Sequence, residues 1–379
     1  MKLMHLSDLH LGKRVNEFSM LEDQRYILNQ ILELARREQV DGVLIAGDVY
    51  DKSVPSAEAV SLLDDFLVAL AEDGRQVLLI SGNHDSPERM AFGGRLMRSS
   101  GIHIAPVYNG RVEPVCLEDQ YGPVRVYLLP FVKPAHIRRY FPDAAIESYT
   151  DALRIAVEAM NPDPGLRNLL VTHQFVTGAA RCDSEELSLG GSDNVDGAVF
   201  DPFDYVALGH IHSPQRVGRE TMRYCGTPLK YSFSEIGQKK SATLIQLGPK
   251  GQVEVSTRPL VPLRDMAQLR GSYQQLALRE FYEGCGHRQD YLHLVLTDEE
   301  DVPDAAAKLR VIYPWLMKLS YDNQRTRAGM ALPAEQAAPP QSPLELLEEF
   351  YRLQNGQSMS DQQRQLARQM MEKIWEGEV

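Results

Sequence analysis

Five short apolar runs in this chain end in aspartate, asparagine or histidine, residue types that together can hold divalent cations for phosphate-ester hydrolysis. Leu3–Leu6 leads into Asp8 and His10, and Val43–Ala46 leads into Gly47, Asp48 and Asp51. Val77–Ile80 runs into Asn83, His84 and Asp85; Leu169–Thr172 into His173; and Tyr205–Leu208 into His210 and His212. A single histidine near a strand end is usually a hydrogen-bonded structural residue, so it is the recurrence at five strand ends that points to one dinuclear centre. Carboxylate, imidazole and amide donors without thiolate suit hard or borderline ions such as Mn2+, Mg2+ or Fe2+, and no cysteine signals zinc. Asp48, at the end of a central strand, can offer one oxygen to each of two ions. Two ions about 3.5–4 Å apart can activate water, clamp phosphate oxygens and stabilise an in-line transition state. His84, one position beyond Asn83, would point away from the ions, where it can meet the phosphate or protonate the leaving oxygen.

These residues need a scaffold that gathers strand ends, and open parallel sheets place their sites just beyond the carboxyl ends of their strands. Ser19 and Glu22 have capping-box spacing, and Ile27, Leu28, Ile31 and Ala35 follow one helical face, which predicts a helix over 19–39. Ser56 can cap a second helix carrying Val60, Leu63, Leu67 and Leu70, ended near Gly74. The resulting β-α-β-α-β order predicts neighbouring strands that run parallel in a layered α/β domain. Short runs at 102–104 and 124–129, separated by turn residues, predict a second sheet. Residues 146–160 read as a helix, and 215–225 and 241–257 as antiparallel strands closing a domain over 1–262.

Residues 263–325 read as a small α+β unit: a helix over 265–278, a strand over 291–296, a helix over 303–312 and a strand over 316–321. An alanine- and proline-rich linker over 326–343 follows. The tail, 344–379, carries two amphipathic helices with Leu346, Leu347, Phe350, Tyr351, Leu366, Met370, Ile374 and Trp375. So short a helix pair has little core of its own. It either docks on the body of the chain or lays its apolar face into a groove of another protein.

A chain of 379 residues with 43% hydrophobic residues is long enough for a large core and one or two smaller units. Its four cysteines are widely spaced, without a CxxC pair, which fits reduced thiols better than a disulfide framework. The first strand begins almost at Met1, and no apolar run approaches a membrane-spanning length, so a cytoplasmic protein without a membrane partner is expected. The net charge of -12 opposes a general affinity for nucleic acid. Carboxylates gathered around cations inflate that count without repelling phosphate, so charge alone does not decide the substrate.

Taken together, Asp8-Leu9-His10, Gly47-Asp48-Val49-Tyr50-Asp51, Gly82-Asn83-His84-Asp85, Thr172-His173 and Gly209-His210-Ile211-His212 resemble the calcineurin-like metallophosphoesterase superfamily. Within it, Leu189–Asp193, Phe203–His212, Tyr224–Leu229 and Ser232–Glu235 are similar to the nuclease subunits that work with SMC-like ATPases of the SbcC type. The resemblance implies a layered α/β/β/α domain with an α+β capping domain and a C-terminal helical tail. It implies Asp8, His10, Asp48 and His212 on the first ion, Asp48, Asn83, His173 and His210 on the second, manganese as the usual metal, and His84 as the catalytic histidine. It also implies exonuclease action on DNA double strands and endonuclease action on single strands or hairpins, in DNA repair, recombination and replication. The ATPase would be gripped by the terminal helices, and the nuclease subunit would pair as a homodimer. Archaeal and eukaryotic relatives carry a histidine where this chain has Asp51, whose carboxylate is expected to accept a hydrogen bond from His84 and orient it.

DNA contacts are sought among Arg89, Arg95 and Arg98 and among Lys133, Arg138 and Arg139, with solvated surface charge as the alternative. Two other readings of the whole chain stay open. One is a metallophosphatase or cyclic-nucleotide phosphodiesterase; the other is a scaffold with an inactive site.

Overall fold

The computed structural model describes residues 1–180, 182, 193–326, 343–355 and 357–376. The glycine-rich loop at 188–192 lies outside them, as does the linker over 327–342.

The chain opens with β1 (Lys2–Leu6), α1 (Leu21–Arg37), β2 (Gly42–Ala46), α2 (Ala57–Glu72), β3 (Gln76–Ile80) and β4 (Ile102–Ala105). These strands run parallel in the order β1-β2-β3-β4. All five residues of β2 are buried, because a central parallel strand is covered on both faces. Two later strands, β11 (Ser241–Leu247) and β12 (Val253–Pro259), extend this first sheet antiparallel beyond β1. The second sheet contains β5 (Val115–Asp119), β6 (Gly122–Leu129), β7 (Arg167–His173), β8 (Tyr205–Gly209), β9 (Gln215–Val217) and β10 (Arg219–Tyr224). Its order is β9-β10-β8-β7-β6-β5, with β6, β7, β8 and β10 parallel.

The two sheets pack face to face through Leu44, Ala46, Leu78, Val126, Val171 and Ala207. Helices α1 and α2 cover the outer face of the first sheet, and α3 (Tyr149–Met160) covers that of the second. The layering is therefore α/β/β/α, as expected. The carboxyl ends of β1, β2, β3, β7 and β8 lie at one edge of the sandwich because these strands share one direction within each sheet and the sheets are held in register by the core between them.

Four local expectations are corrected. Ser19 does not cap α1: it pairs in a two-residue strand with Arg14–Val15, and Met20 takes the cap position without a side-chain bond. In α2, Ser56 does accept from Ala59 N, but Val60 is 45% exposed, and the buried face runs through Ala59, Leu62, Leu63, Phe66, Leu67 and Leu70. Residues 102–105 join the first sheet beside β3, not the second with β6. Helix α3 starts only at Tyr149, where Ser148 and Asp151 cap each other's backbone.

Residues 266–321 build a third sheet of parallel strands, β13 (Met266–Gly271), β14 (Tyr291–Leu296) and β15 (Leu316–Tyr321), with α4 (Ala305–Ile312). Its core gathers Leu276, Leu292, Leu294, Leu309 and Tyr313. The helix expected over 265–278 is instead strand β13 followed by a short helix, Tyr273–Ala277, capped by Ser272. Pairing with β14 overrides the local preference of Met266-Ala267-Gln268-Leu269, which reads as helical on its own. The tail forms α5 (Pro343–Asn355) and α6 (Asp361–Glu376), held to each other by Arg364 with Glu348 at 2.6 Å and by Gln363 with the Tyr351 hydroxyl at 3.1 Å. Leu346, Phe350, Leu353, Leu366 and Met370 stay exposed, whereas the side chains of Ile374 and Trp375 lie outside the described residues.

Candidate metal centre

The turns after β1, β2 and β8 bend sharply, and the backbone records it. Asp8, His10, Asp48 and His210 all have positive φ, at 52°, 44°, 47° and 104°. Non-glycine residues avoid this region, and their concentration at one edge is typical of a site whose geometry is imposed by its surroundings. Glycines make the close approach possible. A Cβ on Gly82 would sit 2.1 Å from Asp48 Oδ1, one on Gly209 would lie 1.8 Å from Ala46 O, and one on Gly47 would lie 2.5 Å from His173 Nδ1.

The expected ligands converge. Asp8, His10 and His212 form one buried cluster, and Asp8, Asp48 and His173 form a second. Asp48 Oδ2 is 3.7 Å from His10 Nε2 and 3.4 Å from His173 Nε2, which places its carboxylate between the two groups. Asn83 Oδ1 is 2.9 Å from His173 Nε2 and 3.1 Å from His210 Nδ1. His84 stands at the rim, edge-on to His10, with Nε2 3.9 Å from Asp48 Oδ2. Its ring therefore faces the cluster more than the sequence reading expects.

Burial dominates the electrostatics. It pushes the Asp8 carboxyl up to about 6 against the pull of His173, and holds His10 well below the ordinary histidine range. Burial also works against ionised Asp48, but His173 and His10 outweigh it and keep that carboxylate charged. For His173, burial alone would favour the neutral ring, yet Asp48 and Asp8 raise it to about 9.

Divalent cations fit this donor set. His173 Nδ1 donates to Ala46 O at 2.8 Å, so in a neutral ring Nε2 would aim its lone pair at two oxygen acceptors. A second proton relieves that conflict in the bare site, and a cation would take its place. His10 Nε2 and His212 Nε2 face each other at 3.1 Å, and buried His10 Nδ1 has no hydrogen-bond partner among the described residues. A cation between the two rings would satisfy both facing lone pairs. Because protons and cations compete for His173, manganese affinity is expected to rise from pH 7 towards pH 9, with proton release on binding. Calorimetry in buffers of different ionisation heat would measure it.

Several residues to which the sequence assigns no role support the site. Asp85 accepts from Val49 N at 3.1 Å, Tyr50 N at 2.9 Å and Gly82 N at 2.8 Å, tying the Asp48 turn to the Asn83 turn. Gln24 donates to His10 O at 2.7 Å. Its neighbour Asp23 accepts from the Tyr291 hydroxyl and from Arg264, joining the third sheet to the same helix. Fully buried Glu235 lies 3.8 Å from His212 Nδ1, and its other oxygen takes Lys240 Nζ at 2.6 Å. Such a carboxylate orients an imidazole and raises its basicity, so Glu235→Gln is expected to weaken manganese binding about 10–100-fold. Titration followed by electron paramagnetic resonance reads this directly. Pairing it with Lys240→Met avoids leaving a buried ammonium unpaired.

Other expected residues take different places. His84 Nδ1 meets the main-chain oxygen of Asp51 at 3.0 Å, whereas the Asp51 carboxylate is engaged by Lys13 at 2.6 Å. The expected side-chain support of His84 by Asp51 is thus replaced by a backbone contact. Arg89 and Arg139 are exposed, but Arg138 Nε donates to Ile146 O at 3.1 Å, which ties it into the local fold. Cys182, by contrast, does stand near the site, clustered with His212 and Glu235.

The family model for calcineurin-like phosphoesterases matches residues 1–214, and that for the "Type 5 capsule protein repressor C-terminal domain" matches 262–355. The SbcD subunit of the nuclease SbcCD from Staphylococcus epidermidis is 31% identical over 385 aligned residues, covering 100% of both chains. The chain belongs to the SbcD family of calcineurin-like phosphoesterases. The SbcD subunit from Staphylococcus saprophyticus is 35% identical over 324 residues, or 84% of each chain. Among solved structures, a dimetal phosphatase from Danio rerio aligns with 69% of this chain and 96% of its own, at 13% identity and a TM-score of 0.41. Among the described residues no helix is long and apolar enough to cross a membrane.

Proposed function

We propose that this SbcD-family protein is a metal-dependent DNA nuclease that cuts double strands as an exonuclease and single strands or hairpins as an endonuclease. The observation that carries this reading is the full-length relation to the nuclease component of SbcCD, in which nothing is left over on either chain. Asp8, His10, Asp48 and His212 would hold one cation and Asp48, Asn83, His173 and His210 the other, with Mn2+ as the preferred ion over Mg2+ or Fe2+. When bound, the ions supply an activated water and neutralise charge on the phosphate.

The protein's own groups do the rest. The Asp48 carboxylate, held ionised, sets the spacing of the two ligand groups. His84, fixed through Nδ1 to Asp51 O, presents Nε2 to the site, where it can donate a hydrogen bond to the phosphate and a proton to the leaving oxygen. Residues 263–325 act as a capping domain docked on α1 through Arg264, which donates to Asp23 at 2.9 Å and to Glu22 at 2.8 Å, and Arg89 and Arg139 approach the DNA backbone. The tail beyond 343 offers its exposed Leu346, Phe350, Leu366 and Met370 to an SbcC-type ATPase. Exposed Phe92 and Leu96 give a second copy of the chain an apolar surface to meet, and the assembly works in the cytoplasm.

The test supplies Mn2+ and compares a labelled DNA duplex, a DNA hairpin, a cyclic nucleotide and a phosphomonoester. Cleavage of both DNAs is expected. Hydrolysis of the last two alone would replace this reading with a phosphatase or cyclic-nucleotide phosphodiesterase.

A further inference from the structure

A cavity of about 470 Å³ opens where the free edges of the two sheets meet, lined by Arg98, His103, Tyr108, Asn109, Arg111 and Pro130 among others. It is continuous with the frame of the metal centre. Ala105 pairs with Ile80, the last residue before the Asn83 turn, and Ser81 Oγ donates to Pro106 O at 2.7 Å. On the other wall Pro130 precedes Phe131, whose amide donates to Ser81 O at 3.0 Å and whose ring stands edge-on to His173 at 6.2 Å. The cavity therefore adjoins the metal centre on its Asn83 and His173 side.

The lining has the chemistry of a nucleotide. Arg111 is paired with Glu113, but among the described residues Arg98 has no ion pair or side-chain hydrogen bond. Its charge instead adds to burial in keeping neighbouring His103 neutral, so Arg98 is the cavity's one unpaired cation among the described lining residues. Tyr108 is only 7% exposed, and its hydroxyl has no hydrogen-bond partner among the described residues. A buried hydroxyl and an unpaired guanidinium both gain from a phosphate oxygen. The volume lies within the range of about 300–1,000 Å³ used for small-ligand sites, enough for a base with its sugar phosphate.

We infer that this cavity receives a nucleotide of the DNA strand beyond the scissile phosphate, with Arg98 and the Tyr108 hydroxyl on its phosphate and Pro130 against its base. The assignment rests on the nuclease reading and names a subsite for it. The test compares the full-length protein with Arg98→Glu and Arg98→Lys in Mn2+, following hydrolysis of bis(p-nitrophenyl) phosphate and binding of a DNA hairpin across a salt series. Arg98→Glu is expected to hydrolyse the small diester like the wild type, to bind the hairpin about tenfold more weakly and to lower the salt slope by about one phosphate contact. Arg98→Lys should keep the slope. If the wild type cuts DNA and Arg98→Glu binds it with unchanged affinity and slope, the cavity assignment alone is overturned. If the wild type hydrolyses the diester but no DNA, the nuclease reading falls and the cavity assignment with it.

Discussion

Asp48→Asn is expected to lower DNA cleavage by about a thousandfold or more while leaving the protein folded. Asp48 Oδ1 accepts the His84 backbone amide at 2.9 Å, and an asparagine oxygen can keep that bond. What the substitution removes is the charge of Oδ2, which lies between His10 Nε2 and His173 Nε2. An amide is a neutral donor on one side and a weak ligand on the other, so it does not serve two cations. Ion-pair catalysis of phosphate displacement is worth several kcal/mol, and each 1.4 kcal/mol is roughly a factor of ten, which gives the size of the loss. Labelled hairpin cleavage in Mn2+, read beside the bound manganese content, checks it. Wild-type cleavage with reduced manganese, or cleavage within tenfold of wild type, would remove Asp48 from its shared position.

Much of this arrangement was legible because parallel strands write themselves plainly in sequence. β2 and β8 are short, wholly apolar and bounded by a glycine-containing turn, so both the strand and the residue just past its end can be read from one stretch. The candidate ligands inherit that clarity: each lies within a few residues of a strand's carboxyl end, at the open edge. What supports them is not local in this way. Asp85 stands inside a quoted motif, yet its task of clamping the Val49 and Tyr50 amides depends on two turns meeting in space. Glu235 and Lys240 come from a loop far along the chain from His10, and their pairing beside His212 appears only once the second sheet lies over the first. The buried Glu–Lys pair leaves no distinct sequence signal, because Glu235 and Lys240 stand among Ser232, Ser234, Gln238 and Lys239 in a stretch that reads as a polar loop. The error at 265–278 has a different origin. Its residues are acceptable in either a helix or a strand, and the choice is made by β14, which offers parallel pairing from Met266 to Gly271.

His84→Ala is expected to slow DNA cleavage by about 10²–10⁴-fold with manganese content unchanged, the range associated with loss of a positioned proton donor. The His84 side chain makes a hydrogen bond outside the residues assigned to the cations, and its ring leans on His10. Nδ1 contacts Asp51 O at 3.0 Å, the ring stands edge-on to His10 at 4.9 Å, and Nε2 is left towards the site. Truncation removes a group that meets the phosphate and the leaving oxygen while the backbone amide of residue 84 keeps its bond to Asp48 Oδ1. The choice of substrate then separates proton donation from simple disturbance of the site. A deoxyribose oxygen leaves poorly unless protonated, whereas p-nitrophenolate leaves without help. His84→Ala should therefore lose far more activity on DNA than on bis(p-nitrophenyl) phosphate, and equal losses on both would rule out proton donation. Asp51→Asn gives the matching control. It keeps the main-chain oxygen that holds His84 and changes the carboxylate bound by Lys13, so its loss on DNA should be smaller than that of His84→Ala. A loss as large as that of His84→Ala would mean that the Asp51 carboxylate, and not its backbone, governs the histidine.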